Sequence, residues 1–420
     1  MPFQVSPGVL VKEVDLTNVV PAVSTSIGAI AGAFEKGPIM EITTVSSEEE
    51  LVSIFGKPNG TNFETFFSAS NFLQYGNALK VVRAESGVKN AVVSGTAVLV
   101  KSDTDYQNNY GSGFDPDVGP WIARTPGTIG NNIGISMCTS ATAYEENLSS
   151  GNQTVGEDAV GATIIKVDAG TAFNKGDLIS FSSVDASSDA TAFTHLVGDE
   201  GNEYEITEIN THDLTVRLKD DPNGKGVQAV IPDNTFIRRR WGFYDLFDTA
   251  PCTSTYATSK GVTLDEMHIV VFDYTGNITG FRKKTAGERL SSVMETYAFV
   301  SQHPNAKTAQ GGTNYYVDVI FKESKFIYWA DHNSSVLTHA GSVRTAGQSY
   351  VGGTGTTGEA EFELGAAGGS TVGVDDDTIT TGELKSAYDL FADAETVDVN
   401  LIMAGQVPNG TDGITHATNL

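Results

Sequence analysis

The chain is poor in cysteine, in tryptophan and in basic side chains, and it has no long apolar run. Cys138 and Cys252 are the only cysteines in 420 residues, so the chain has no disulfide framework to read and fits folding in a reducing compartment. Lys and Arg total 26 against 52 Asp and Glu, a formal charge of −26. Such a molecule repels phosphate backbones and anionic lipid, which argues against nucleic acid or a membrane surface as a general partner. No apolar stretch approaches the roughly 18 residues of a membrane span. The opening MPFQVSPGVLVKEVD lacks the basic start and apolar core of a signal peptide.

Chemistry-bearing motifs are equally scarce. No GxSxG elbow occurs, and no two of the seven histidines stand at HExxH spacing; His332 and His339 are the closest, in a polar stretch. Residues 353–358, GTGTTG, match a dinucleotide loop by letter, but no amphipathic helix follows to meet a pyrophosphate, so they read as a flexible loop. Asp375, Asp376 and Asp377 lack the further oxygen ligands and spaced glycine of a calcium loop and read as a solvated turn. No catalytic, metal or cofactor residue is nominated.

What is present is a layered pattern. Hydrophobic residues make up 40 % and Gly numbers 45, as expected for two to four globular domains rich in strands and turns. Residues 62–84, NFETFFSASNFLQYGNALKVVRA, predict a helix that Asn62 caps and Gly76 ends, with Phe63, Phe66, Phe67 and Leu73 on its core face, and then a strand of Leu79, Val81 and Val82. Before it, residues 27–34 predict a strand of small residues closely approached by another backbone. Ser46 with Glu49 predicts a capping box for a short helix bearing Leu51, Val52 and Phe55.

Beyond Ala84 the texture turns to Gly, Ser, Thr and Asp. A strand with Ile133, Ile135 and Met137 on one side is expected, then four short strands in ATIIKVD, DLISF, YEITEI and DLTVRL, the mark of a small barrel or sandwich. From about 265 the reading is a strand (MHIVVFDY), a helix over 286–300 and two aromatic strands (NYYVDVIF and FIYWA). A helix capped by Thr380 and Glu383 and a final strand over 397–404 close the pattern.

The fold class is therefore α+β or α/β multidomain: a discontinuous α/β core with an inserted mainly-β domain and an extended N-terminal arm. The expected boundaries are 1–24 for the arm, 25–86 for the first part of the core, 87–240 for the insertion and 241–420 for the second part. The arm, with Pro2, Pro7 and Pro21, is either a loose end or a strand donated to a neighbouring molecule through Val9, Leu10, Val11, Lys12, Glu13, Val14, Asp15 and Leu16.

One electrostatic feature stands out. Eleven of the 26 basic residues lie between Arg217 and Arg289. Arg238, Arg239, Arg240, Arg282, Lys283 and Lys284 are the candidates for contacts between copies, against the plainer reading of a solvated face with local ion pairs.

Six blocks in order resemble the contractile tail sheath proteins of myovirus-type bacteriophages: SPGV at 6–9, IAGAFEKGP at 30–38, ELVSIFGKP at 50–58, NFLQYGNALKVVRA at 71–84, PGTIGNNI at 126–133 and LKSAYDLFADAETVDVNLIMAG at 384–405. The resemblance implies a structural subunit without catalytic site or cofactor. Its partners would be other sheath subunits in six-fold helical rings, the tail tube, and the baseplate and tail terminator proteins. It would be assembled in the host cytoplasm, reside in the virion, and contract to drive the tube through the host envelope. In that family further helices follow the last strand, whereas this sequence ends at THATNL, so a fragment or a missing closing domain is expected. Two other readings are a virion surface protein binding host carbohydrate through residues 87–240, and a hydrolase whose site forms only in three dimensions.

Overall fold

The computed structural model describes residues 26–84, 87–110, 118–261, 263–331, 358–366, 368–375, 379–393 and 395–406. Residues 9–16, the expected arm, lie outside the described residues, as do His332, His339 and most of the 353–358 loop. The chain divides into two compact units, one of residues 1–35, 40–85 and 377–420, the other of 36–39 and 86–376.

In chain order the first unit contributes strand β1 (Gly28–Gly32), β2 (Thr43–Val45), helix α1 (Glu48–Phe55), helix α2 (Phe63–Leu73) and β3 (Leu79–Arg83). The second contributes β4 (Trp121–Ala123), β5 (Ile133–Cys138), β6 (Glu145–Asn147), β7 (Ile164–Lys166), β8 (Leu178–Ser182), β9 (Tyr204–Asn210), β10 (Asp213–Leu218), β11 (Phe236–Arg240), β12 (Glu266–Asp273) and β13 (Val293–Ser301). Helix α3 (Tyr316–Glu323), β14 (Ile327–Trp329) and β15 (Glu359–Glu363) complete it. Helix α4 (Thr381–Asp389) and β16 (Leu401–Met403) return the chain to the first unit.

The first unit is a four-stranded sheet in the order β16-β1-β3-β2, with β1 parallel to both β16 and β3. Side chains alternate across its strands. Ile30, Leu79 and Val81 pack with Leu51 and Phe55 of α1 and Phe66 and Ala69 of α2. Ala29, Ala31 and Val82 pack with Leu384, Ala387 and Tyr388 of α4. Residues from both ends of the sequence thus share one sheet, as the discontinuous core requires.

The small residues of β1 have a specific cause: a Cβ on Gly28 would sit 2.8 Å from the Phe72 ring, and one on Gly32 2.9 Å from Thr65. The close approach comes from α2 side chains, not from the second backbone that the sequence suggested. Two further expectations shift. The α1 cap is Ser47, whose hydroxyl accepts from Glu50 N–H, one residue beyond the expected Ser46 and Glu49. Phe63 and Phe67 are 44 % and 50 % exposed, because they lie on the flank of α2 turned away from Phe66. The box of Thr380 and Glu383 is present as expected.

The second unit holds a six-stranded antiparallel sheet, β6-β11-β8-β9-β10-β7, and a four-stranded one, β13-β12-β5-β15. The four short strands expected between 162 and 219 are β7 to β10. Ile133, Ile135 and Met137 enter one core with Met267, Ile269 and Val271. β12 therefore pairs with β5, not with the 397–404 region, and residues 241–376 join 86–240 in one unit. The expected break at 240 is not where the chain divides, because strand pairing rather than texture sets the unit.

The helix expected over 286–300 is instead the strand β13, where Val293, Thr296, Tyr297 and Val300 favour a pleated, half-buried surface beside β12. NYYVDVIF, expected as a strand, forms α3, whose Tyr316, Val317 and Ile320 are buried at helical spacing. Its β-forming residues yield to tertiary packing against β13 and β14.

Phe66→Ala removes a ring that is 2 % exposed and should cost about 3–5 kcal/mol in urea unfolding, whereas Phe63→Ala should stay within about 0.5 kcal/mol. Equal losses would contradict the assignment of the α2 faces.

Candidate functional site

The basic residues singled out in the sequence converge on a charged seam inside the second unit. On β11, side-chain alternation sends Arg239 to one face and Arg238 and Arg240 to the other. Arg239 is fully buried. Its guanidinium donates to the carbonyls of Ala172 (3.1 Å) and Thr142 (2.9 Å) and to Glu146 Oε2 (3.0 Å), with Asp177 4.0 Å away. Arg240 donates to Glu145 Oε2 at 2.5 Å and Glu203 Oε1 at 2.7 Å and lies over the Tyr244 ring. Burial pulls its pKa down, but the two carboxylates outweigh that and raise it. Arg238 stacks 3.8 Å over Phe193 and donates from Nε to Ser180 Oγ at 3.3 Å.

The run 282–284 follows the same rule. Lys283 is buried between the rings of Phe243 and Phe272 and pairs with Glu361. Lys284 pairs with Glu363 at 2.9 Å and with the Tyr274 hydroxyl. Arg282 is exposed and donates to the Tyr274 carbonyl at 3.2 Å. Nearby, Arg217 grips Glu205 and reaches the Lys284 carbonyl at 2.8 Å, while Arg289 holds Asp245 at 2.7 Å.

All six candidates therefore have partners within the chain. The acids that meet them, Glu145, Glu146, Glu203, Glu361 and Glu363, went unsingled in the sequence because they come from segments far away in sequence and carry no spacing signal. A cavity of about 660 Å³ opens beside this seam, lined in part by Thr142, Glu145, Glu146, Asn147, Ser187 and Ser188. Among the described residues no group of three His, Cys, Asp or Glu side chains is placed to hold a metal ion.

A second buried polar site is His268. It is stacked on Phe247 at 4.2 Å and edged by Phe299. Its Nε2 lies 2.9 Å from the Thr249 carbonyl and its Nδ1 accepts the Phe299 N–H at 3.1 Å, which together fix the neutral Nε2–H tautomer. Phe299 has φ 53° at a bulge in the β12–β13 register, so the imidazole satisfies an amide that the ladder leaves over. Burial pushes the His268 pKa from 6.5 down to about 4.

The folded state resists a proton that the unfolded chain accepts below pH 6.5. The His268 contribution to stability should therefore be flat above that pH and fall by about 3 kcal/mol as pH drops to about 4, and His268→Gln should flatten this part of the acid limb in urea titrations. Arg239→Ala should cost about 3–5 kcal/mol by stranding buried partners, whereas Arg282→Ala should change stability by less than about 0.5 kcal/mol.

Comparison with known proteins places this fold. Residues 25–84, the span from β1 to β3, match the family model described as tail sheath protein Gp18 domain III N-terminal region. A tail sheath protein of Vibrio phage KVP40 is 46 % identical over 78 residues, 19 % of this chain and 12 % of that protein. One of Enterobacteria phage T4 is 47 % identical over 79 residues, again 19 % and 12 %. One of Salmonella phage ViI is 33 % identical over 143 residues, 33 % of this chain and 22 % of that protein. The matches thus span less than a quarter of those relatives' lengths. The blocks at 30–38, 50–58 and 71–84 fall within the matched span, and over this stretch the chain is similar to the tail sheath proteins of bacteriophages.

Proposed function

We propose that this chain is a structural subunit of a phage contractile tail sheath, which polymerises around the tail tube and shortens to drive it through the host envelope. The observation that carries the reading is the match of residues 25–84 to a tail sheath domain, over the stretch whose two-faced packing builds the first unit. A contractile polymer needs a rigid repeating module joined by contacts that survive repacking. The layered sheet is the module in this reading, and the arm of Val9, Leu10, Val11, Lys12, Glu13, Val14, Asp15 and Leu16 is the joining strand.

Other sheath subunits in six-fold rings, the tube, the baseplate and the terminator are the partners in this proposal, with assembly in the host cytoplasm and residence in the virion. The role is mechanical rather than catalytic. The six-stranded sheet is read as a barrel-like inserted domain, supported by the added bridges Thr154–Val167 and Asp158–Ile231. For Arg238, Arg239, Arg240, Arg282, Lys283 or Lys284 to serve a neighbouring copy, each would exchange a contact it already makes inside the chain, which makes them candidate switching contacts.

The test is assembly with the cognate tube, viewed by electron microscopy. Helical sheaths are expected, and deletion of residues 9–16 should abolish them while leaving urea stability unchanged. Persistent monomers in every condition, or normal sheaths after the deletion, would overturn the reading.

A further inference from the structure

Strand β12 ends on Asp273, which is fully buried. Its carboxylate accepts the Gly276 N–H through Oδ1 at 2.8 Å and the Ile278 and Thr279 N–H groups through Oδ2 at 2.8 and 2.7 Å. The Thr279 hydroxyl oxygen in turn accepts the Phe281 N–H at 3.1 Å, and Glu288 Oε2 accepts the Arg282 N–H at 2.9 Å. Hydrogen bonds from backbone to carboxylate therefore set the course of this surface loop before any partner meets it, so docking has less chain entropy to overcome.

The loop displays Phe281 and Arg282. Phe281 is 45 % exposed, the only exposed Phe, Tyr or Trp among the described residues of the second unit. Arg282 is the only exposed arginine among the described residues, whereas the other five basic candidates are buried or half-buried. Its Nε donates to the Tyr274 carbonyl, and no described acid pairs with its guanidinium, so it has no ion pair to give up. An aromatic ring beside an arginine is the composition of an interface hot spot.

A complementary patch lies in the same unit. Val197, in the loop between β8 and β9, is 84 % exposed, and Val230 is 44 % exposed. Their segments adjoin, since a Cβ on Gly198 would sit 3.6 Å from that of Ala229. Glu200 is exposed beside them, with its Oε2 accepting the Gly198 N–H at 3.0 Å and no described Lys or Arg paired with it.

We propose that Phe281 and Arg282 dock on Val197, Glu200 and Val230 of a second copy of this chain, with Arg282 pairing with Glu200 and Phe281 packing on the two valines. Charge complementarity favours a copy as the occupant: with 52 acids against 26 bases, every copy offers acidic surface to an exposed arginine. The choice of a copy rests on the sheath-subunit reading, in which subunits must meet. The two patches are different surfaces, so the contact is head-to-tail and propagates along an assembly instead of closing a two-fold dimer. A solvent-exposed ion pair of this kind sets register more than strength.

The test is photocross-linking of the full chain with p-benzoylphenylalanine placed at Phe281. It is mixed with a heavy-isotope-labelled copy and read by mass spectrometry, with and without the tube. Links from the Phe281 position to peptides covering 196–202 or 228–231 of the other copy are expected. Arg282→Glu should lower their yield about fivefold, and Glu200→Arg in the labelled copy should restore it. Links confined to other peptides, no links between copies, or a yield indifferent to both charges would overturn the proposal. Helical sheaths that form without these links would overturn this contact and leave the sheath reading standing. These links in a chain that never forms sheaths would uphold the contact and count against that reading.

Discussion

Parallel pairing of β1 with β16 is the constraint on which the first unit depends. Gly28, Ala29 and Ile30 lie in register with Leu401, Ile402 and Met403. Asn400 Oδ1 accepts the Ile27 N–H across a separation of 373 residues. Such a contact forms only after a very long loop has closed, and the entropy of closure must be recovered by burial on both faces. The two apolar clusters provide it, one under α1 and α2 and the other under α4. Tyr388 ties the layers together: its hydroxyl donates to the Met403 carbonyl at 2.6 Å and lies 3.2 Å from that of Ala31.

The second unit is governed by charge. A chain with a formal charge of −26 concentrates its scarce cations and pairs many of them within one seam between sheets. Buried pairs of this kind add little over an apolar packing of equal shape, but breaking one is costly. They fix which strands meet. Arg239 ties β11 to β6 and to the carbonyls of Thr142 and Ala172 in two short helical turns, and Lys283 and Lys284 tie the loop after β12 to β15. Cations used in this way are no longer free attractants on the surface, which changes the meaning of the basic cluster seen in the sequence.

Much of the first unit was legible because its signals are local. The Thr380 box and the apolar run of Leu79, Val81 and Val82 each specify an element within a few residues, whereas α2 formed where expected but left Phe63 and Phe67 exposed, with no side-chain hydrogen bond from the Asn62 cap. The strands β7 to β10 were legible for the same reason. What was not legible depended on partners distant in sequence: β13 and α3 exchanged their expected types because β-branched and aromatic residues serve a strand or a buried helix face equally well. The basic cluster was visible, but the glutamates that neutralise it were not. His268 was one of seven scattered histidines until the Phe299 bulge gave it a role.

The central claim is that the sheath-like unit is closed by a strand from the far end of the chain. The most direct measurement is cysteine cross-linking of Ala29→Cys with Ile402→Cys, which are register partners on β1 and β16, in a background where Cys138 and Cys252 are replaced by Ser. The account expects the pair to form an intramolecular disulfide under mild oxidation of the folded chain, and to form it far less when the same oxidation is carried out in urea. A native, folded chain in which the pair stays reduced, while a control pair of Ala29→Cys with Lys80→Cys on β3 oxidises, would contradict it.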